Sequence, residues 1–202
     1  MAQPRWITDT KPGHSEWYIE RFRKMAAAGD DLAGEARLID AMVGRNAHIL
    51  DAGCGPGRLS GYLHAVGHAV VGVDVDPKLI AAAEQDHPGP TYRVADLSEL
   101  DLPAQGVHEP FDAIVAAGNV MVFIAPDSEA QILRRLAAHL KPGGFIVTGF
   151  HTNRELTVDA FDAAVADAGL TVDQRFATWD LRRWHDTADF AVTVLRHAAS
   201  AG

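Results

Sequence analysis

The stretch His48–Leu63 constrains the fold of this chain more than any other. It contains an apolar lead-in, an acid at Asp51, glycines at positions 53, 55 and 57, and then residues with helical periodicity. Glycine adopts left-handed backbone angles and lets a ligand approach the main chain closely. The first turn of the following helix presents unpaired N–H groups to that ligand. The stretch therefore predicts a turn from a first β-strand into a helix, with a ligand site at the turn.

The residues of this turn distinguish between two kinds of cofactor. A dinucleotide turn has the pattern G-x-G-x-x-G, in which the third glycine packs the helix on the sheet. Counted from Gly53, that third position is Arg58. Asp51 precedes Gly53 by two residues, where its charge would repel a diphosphate. The same carboxylate would favour S-adenosylmethionine, because the sulfonium and amino groups of that cofactor are positively charged.

The segment Asp51–Gly57, DAGCGPG, resembles motif I of the class I, Rossmann-like S-adenosylmethionine-dependent methyltransferases. The resemblance extends over residues 46–196 or so. It implies an α/β fold: a three-layer α/β/α sandwich around a mixed seven-stranded sheet, mostly parallel with an antiparallel last strand pair. It also implies N-terminal covering helices. We expect a helical cover of the active site at residues 1–45 and one compact Rossmann-like domain at residues 46–202.

Hydrophobic periodicity predicts the individual helices and strands. Residues 1–13 are expected to be irregular, and Ser15 is the expected N-cap of a helix over residues 16–28. The segment Lys141–Gly144, KPGG, is expected to end a helix before a strand over residues 145–150. Too few residues join the last two strands for a crossover helix, so these strands are expected to pair antiparallel.

Acids follow the second and third predicted strands, where this class of fold binds its cofactor. Asp74 lies about twenty residues after the first glycine, where an acid accepts hydrogen bonds from ribose hydroxyls. Asp76 is the nearby alternative for this ribose role, and it is the expected cap of the next helix. The resemblance implies that Asp96 accepts the adenine amino group, although a loop acid is the alternative, and that Leu97 covers the base. The residues expected to bind the cofactor are Asp51, Gly53, Cys54, Gly55, Gly57, Asp74, Val75, Asp96, Leu97, Ala117, Gly118 and Asn119.

The sequence assigns no catalytic residue. Methyl transfer from a sulfonium needs alignment and exclusion of water, and it needs a base only when the nucleophile must lose a proton. The weak candidates are His151, after the fifth strand, and His14 and Tyr18 in the N-terminal helix; a packing or surface role is the alternative for each. Asn119 is expected to contact the methionine part of the cofactor or the acceptor, and the alternative is a role in the turn. Arg58 is expected to meet either the carboxylate of the cofactor or a surface acid.

Composition excludes several other classes of function. With 18 basic and 27 acidic residues, the net charge of −9 disfavours nucleic acid as a substrate. No apolar run approaches the roughly 18 residues of a membrane helix, and the N-terminus lacks the apolar core of a signal peptide. One cysteine, Cys54, fits a reducing cytoplasm. The ten histidines form no H-x₃-H pair on one helix face and no CxxC is present, so no metal is expected.

These observations predict a cytoplasmic S-adenosylmethionine-dependent methyltransferase, of the EC 2.1.1 type, which releases S-adenosylhomocysteine. The lack of a large insertion favours a small-molecule acceptor, methylated by in-line displacement. Two alternatives stay open: a non-catalytic binder of S-adenosylmethionine and, less favoured, a nicotinamide-dependent oxidoreductase. The sequence leaves a homodimer open and does not identify the acceptor.

Overall fold

Seven β-strands form one sheet in the computed structural model, which describes residues 2–198. In chain order they are β1 (His48–Ala52), β2 (Ala69–Asp74), β3 (Thr91–Val94), β4 (Phe111–Ala116), β5 (Leu140–His151), β6 (Leu170–Phe176) and β7 (Phe190–His197). Their order across the sheet is β3-β2-β1-β4-β5-β7-β6. The first five strands are parallel, and β7 runs antiparallel to both β5 and β6. The predicted mixed sheet with an antiparallel last pair is confirmed.

Helices cover both faces of this sheet. They are α1 (Arg5–Thr8), α2 (His14–Ala27), α3 (Gly34–Met42), α4 (Arg58–Ala65), α5 (Pro77–Asp86), α6 (Val120–Phe123), α7 (Glu129–Ala137) and α8 (Val158–Asp167), with 3₁₀ turns at Leu97–Glu99 and Pro103–Gln105. Ile39 and Leu63 belong to the apolar core on one face, whereas Leu133 and Phe161 belong to the core on the other. The continuous apolar runs of the strands fit burial on both faces. The predicted three-layer sandwich is confirmed.

The order of the strands reverses beside β1, which pairs with both β2 and β4. In open α/β sheets, ligands bind outside the carboxyl ends of the strands at such a reversal. The glycine turn begins there: the N–H groups of Gly53 and Cys54 both donate to the carbonyl of Val73, at 2.8 and 2.9 Å. The main chain of the turn is thus fixed against the end of β2.

Two N-terminal predictions are wrong. Residues 1–13 are not wholly irregular, because they contain α1, whose Arg5 N–H donates to the Ile124 carbonyl at 3.3 Å. Ser15 does not cap α2, which begins at His14 after Gly13 in a left-handed conformation (φ +85°). The Ser15 hydroxyl instead donates to the carboxylate of Asp76. In both cases a contact with a distant part of the chain decides the local structure.

The start of β5 also differs from the prediction. The strand begins at Leu140, which pairs with Phe111, and the register shifts before Ala113 pairs with Phe145. The KPGG segment is therefore an irregularity inside the strand rather than a turn before it. Pro142 has no N–H to donate, and Gly143 has a positive φ of +80°.

Candidate cofactor-binding and active site

Two cavities lie at the carboxyl ends of the central strands. The larger cavity, of about 610 Å³ including its open mouth, is lined by Pro4, Trp6, Tyr18, Gly53, Gly55, Asp74, Val75, Leu79, Ala95, Asp96, Leu97, Gly118, Val120, Phe123 and Ile124. The smaller cavity, of about 350 Å³, is lined by Tyr18, Phe22, Asp51, Gly53, Cys54, Gly55, Pro56, Arg58, Leu59, Ala117 and Gly118. Sites for small ligands usually have such volumes.

The two cavities share Tyr18, Gly53, Gly55 and Gly118, which we call the junction. Three of these four residues are glycines, all with positive φ between +56° and +76°. A side chain at Gly55 or Gly118 would therefore project where the cavities meet. The junction leaves room for a thin, elongated ligand that extends into both cavities.

Asp74 ends β2 in the wall of the larger cavity. Its Oδ2 accepts a hydrogen bond from the Gly55 N–H at 2.9 Å, and its Oδ1 accepts one from the Asp76 N–H at 2.9 Å. Burial raises the pKa of Asp74 to about 6, although both hydrogen bonds oppose the rise. Each carboxylate oxygen can accept a second hydrogen bond, so Asp74 holds the glycine turn in place and can still bind a hydroxyl group.

Asp51 is the penultimate residue of β1, lies in the wall of the smaller cavity and is almost fully buried. Its Oδ2 accepts hydrogen bonds from the Ser60 N–H at 3.1 Å and the Ser60 hydroxyl at 2.7 Å. Its Oδ1 accepts none from any residue between 2 and 198. Burial raises the pKa of Asp51 to about 6 against those bonds. A buried carboxylate with one unpaired oxygen is suited to a cationic ligand, which would lower its pKa again.

Arg58, at the start of α4, also lines the smaller cavity and brings a positive charge to its wall. Its guanidinium donates to both carboxylate oxygens of Glu35, at 2.5 and 2.8 Å, and to the Leu32 carbonyl at 2.6 Å. It also lies over the ring of Phe22, 5.5 Å from its centroid. Glu35 is therefore the acid that Arg58 meets, in a half-buried ion pair that still contributes to the cavity wall.

The other predicted residues divide into two groups. Val75, Asp96 and Leu97 line the larger cavity, and Asp96 also caps the adjacent 3₁₀ turn by accepting from the Ser98 N–H at 2.8 Å. Cys54 and Ala117 line the smaller cavity. Gly57 lines neither, because it precedes α4 and packs where a Cβ would meet Ala83 and Tyr92 at 2.8 Å.

Asn119 and His151 support each other instead of lining a cavity. Asn119 has φ +66° before α6, and its Oδ1 accepts from the His151 N–H at 2.8 Å. The His151 ring packs on Phe190, with 5.0 Å between centroids, and its Nδ1 lies 3.1 Å from the Asp189 carbonyl. His14 also lies outside both cavity walls, with its ring 4.9 Å from that of Trp6. Of the three weak catalytic candidates, only Tyr18 lines the cavities.

Sequence reasoning missed the contribution of α1 to the site. Trp6 lines the larger cavity, and its indole Nε1 donates to Asp76 Oδ2 at 3.0 Å. Asp76 also caps α5, as predicted, by accepting from the Lys78 N–H at 2.8 Å. The only signal for Trp6 was a large aromatic residue two positions after Pro4, in a segment expected to be irregular.

Comparison with known proteins identifies the family. The model of a methyltransferase domain matches residues 49–144. The crystal structure of a TehB-like S-adenosylmethionine-dependent methyltransferase from Corynebacterium glutamicum is 43% identical in sequence, with a TM-score of 0.86 over 93% of this chain and 100% of that one. The chain belongs to the S-adenosylmethionine-dependent methyltransferases. S-adenosylmethionine is the cofactor of this family. This excludes the alternative of a nicotinamide-dependent oxidoreductase.

Two further methyltransferases match shorter stretches. Trans-aconitate 2-methyltransferase from Methylobacterium nodulans is 32% identical over 111 residues, 54% of this chain and 40% of that protein. A ubiquinone biosynthesis O-methyltransferase from Xanthomonas campestris is 34% identical over 126 residues, 60% of this chain and 49% of that protein. The match thus spans less than half the length of these curated relatives.

The cavities fit the chemistry of S-adenosylmethionine. The larger cavity offers carboxylate acceptors, Asp74 and Asp96, among apolar walls, as a nucleoside requires. The smaller cavity offers the unpaired oxygen of Asp51 and the cation of Arg58, as an amino acid requires. In the part of the chain that the structure describes, no cluster of three or more His, Cys, Asp or Glu residues could hold a metal, and no helix is long and apolar enough to cross a membrane.

Proposed function

We propose that this methyltransferase transfers the methyl group of S-adenosylmethionine to a small-molecule acceptor. The observation that carries the proposal is the pair of cavities that meet at a junction of three glycines and Tyr18. A ligand with a nucleoside at one end, an amino acid at the other and a narrow sulfur link between them matches that arrangement. The prediction about the cofactor-binding residues rests on the same match.

In this proposal Asp74 binds the ribose hydroxyls, Asp96 the adenine amino group, and Asp51 the amino group of the methionine part. Leu97 and Val75 cover the base. When bound, S-adenosylmethionine supplies an activated methyl group on a cationic sulfur. The protein's own contribution is to fix the direction of that group and to exclude water, for which Pro4, Trp6 and Phe123 close the larger cavity. No side chain is required to act as a base unless the acceptor must lose a proton.

Three observations support a small acceptor. The net charge of −9 disfavours a polyanion. The names of two relatives, trans-aconitate 2-methyltransferase and ubiquinone biosynthesis O-methyltransferase, point to small organic acceptors for those proteins. Within residues 2–198, no long insertion that could grip a macromolecule separates the strands. A covering role for residues 1–45 is part of this proposal, supported by Pro4, Trp6 and Tyr18 in the cavity walls. The single cysteine supports a cytoplasmic location.

The proposal is tested by following S-adenosylhomocysteine release. The purified chain is incubated with methyl-labelled S-adenosylmethionine and a panel of small carboxylic acids, phenols, thiols and amines. We expect release that depends on at least one acceptor and transfers the label to it. Asp74→Asn serves as the control with a weakened site. If S-adenosylhomocysteine binds but no member of the panel is methylated, the non-catalytic alternative is favoured.

A further inference from the structure

Tyr18 is the only residue with a side chain at the junction. The other three residues that line both cavities are Gly53, Gly55 and Gly118. An atom of a ligand that lies where the cavities meet is therefore surrounded by backbone and by one phenol ring. Within residues 2–198, Tyr18 therefore supplies the one polar side chain that lines both cavities.

The position of the Tyr18 ring is fixed by its neighbours. It packs edge-on against Trp6, with centroids 5.4 Å apart, and against Phe22, with centroids 4.9 Å apart. Its Cε1 lies 3.6 Å from the point where a Cβ on Gly55 would be, and its hydroxyl oxygen lies 4.0 Å from the corresponding point on Gly118. The ring thus extends across the junction from the glycine turn to the loop after β4.

The Tyr18 hydroxyl accepts or donates no hydrogen bond within the described residues, and the side chain is half-buried in the walls of both cavities. Its oxygen is not among the fully buried unpaired atoms, so a ligand in the cavity can reach it. Burial also raises the pKa of Tyr18, so the phenol remains neutral near pH 7 and keeps oxygen lone pairs available. A neutral, unpaired phenol that points into a ligand cavity is expected to meet the ligand.

We propose that the hydroxyl oxygen of Tyr18 faces the sulfur-bound methyl group of S-adenosylmethionine and makes the site prefer the cationic donor over the neutral product. This inference rests on the proposed function, because only a ligand with a nucleoside in one cavity and an amino acid in the other places its sulfur at the junction. The C–H bonds of a methyl group on a sulfonium are polarised, so they form weak hydrogen bonds to an oxygen acceptor. S-adenosylhomocysteine lacks both the methyl group and the positive charge.

Calorimetric titration with both ligands tests this role without any acceptor. In Tyr18→Phe, we expect the affinity for S-adenosylmethionine to fall roughly two- to fivefold, the size of one weak C–H···O contact, while the affinity for S-adenosylhomocysteine stays within about twofold. Tyr62→Phe is the matched control, because Tyr62 is also half-buried but lines neither cavity. That variant should leave both affinities unchanged.

A spectroscopic readout separates the hydroxyl from the ring. With S-adenosylmethionine labelled by ¹³C in its methyl group, the bound methyl resonance of Tyr18→Phe should move toward that of the free cofactor, and Tyr18→Leu should move it further. An unchanged ratio of the two affinities together with an unchanged methyl resonance in Tyr18→Phe overturns the inference. Equal losses for both ligands also overturn it, because they indicate a packing role. If the wild-type protein binds neither ligand, the proposed function itself fails.

Discussion

Asp51 is a residue at which stability and binding oppose each other. Its carboxyl group is buried, accepts hydrogen bonds from Ser60 alone among the described residues, and has its pKa raised to about 6. A raised pKa means that the folded protein binds more protons than the unfolded chain between about pH 4 and pH 6. The unfavourable contribution of Asp51 to stability is therefore complete above pH 6 and is relieved as the pH falls toward 4.

Asp51→Asn is expected to separate these two effects. Without ligand at pH 7.5, the variant should be more stable than the wild type, by up to about 3 kcal/mol, the equivalent of a shift of two pKa units. Its affinity for S-adenosylhomocysteine should fall, because the amide cannot neutralise an ammonium group. Urea unfolding and calorimetric titration measure the two quantities, with the exposed Asp159→Asn as the control. A variant that is destabilised and binds normally would contradict the assigned role.

The same residue predicts a pH dependence of binding. Below pH 6 the wild-type protein must release a proton from Asp51 before it can pair with the ammonium group. We expect its affinity for S-adenosylhomocysteine to fall between pH 6.5 and pH 5. In Asp51→Asn, the affinity should change less steeply with pH. Asp74, whose pKa is also raised to about 6, is expected to account for the slope that remains. Equal slopes in the two proteins would exclude Asp51 as the proton-linked group.

Gly53 allows a test of the close approach at the junction. A Cβ at this position would lie 2.4 Å from Val120 Cγ2, and the residue has φ +76°. Gly106 has a similar φ of +82° but nothing within 4 Å of its Cβ position. We expect Gly106→Ala to cost about 1–2 kcal/mol from backbone strain alone, and Gly53→Ala to cost about 1–3 kcal/mol more. Chemical unfolding measures the difference, and only Gly53→Ala should weaken S-adenosylhomocysteine binding.

At the scale of elements, one carboxylate connects both N-terminal helices α1 and α2 to the end of β2. Asp76 accepts hydrogen bonds from Trp6 in α1 and Ser15 in α2, and its own N–H donates to Asp74. The contacts that close the larger cavity are therefore connected to the acid proposed to bind the ribose. Hydrogen bonding lowers the pKa of Asp76 despite its burial, so it stays charged at neutral pH.

Trp6→Phe should loosen α1 while leaving the sheet intact, because it removes the indole donor and keeps an aromatic ring. We expect faster amide hydrogen exchange in residues 5–9 and faster dissociation of S-adenosylhomocysteine. Exchange in β1 and β4 should not change. Thr8→Ala is the control, since the Thr8 hydroxyl donates to its neighbour Asp9 and to nothing else in residues 2–198. Unchanged exchange in α1 would show that the Asp76 contact does not hold the helix.

The elements differ in how far the sequence determines them. The strands and the acids that follow them were predictable, since continuous apolar runs ending at Asp51 and Asp74 have few alternative structures. α1 was not, because a four-residue helix depends on its contacts with Ile124 and Asp76 rather than on its own sequence. The ion pair of Arg58 with Glu35 was likewise hidden, because no rule of spacing relates residues 23 positions apart.

At the scale of the whole molecule, a ligand that binds only the folded protein should raise its free energy of unfolding. S-adenosylhomocysteine at 100 times its dissociation constant adds about 2.7 kcal/mol, which raises the Tm of a chain of this size by roughly 5–10 °C. NAD should give no increase, because Asp51 and Asp74 repel a diphosphate at the junction. Differential scanning calorimetry with each ligand measures this. Stabilisation by NAD and none by S-adenosylhomocysteine would contradict the electrostatic basis of the site.

The only thiol of the chain, Cys54, is buried in the wall of the smaller cavity. Burial, reinforced by the charges of Asp51 and Asp74, raises its pKa well above the ordinary value. Oxidants and electrophilic reagents attack the thiolate rather than the thiol. The enzyme therefore offers no reactive thiol of its own, and thiol-alkylating agents should leave it active under conditions that inactivate enzymes with an accessible cysteine.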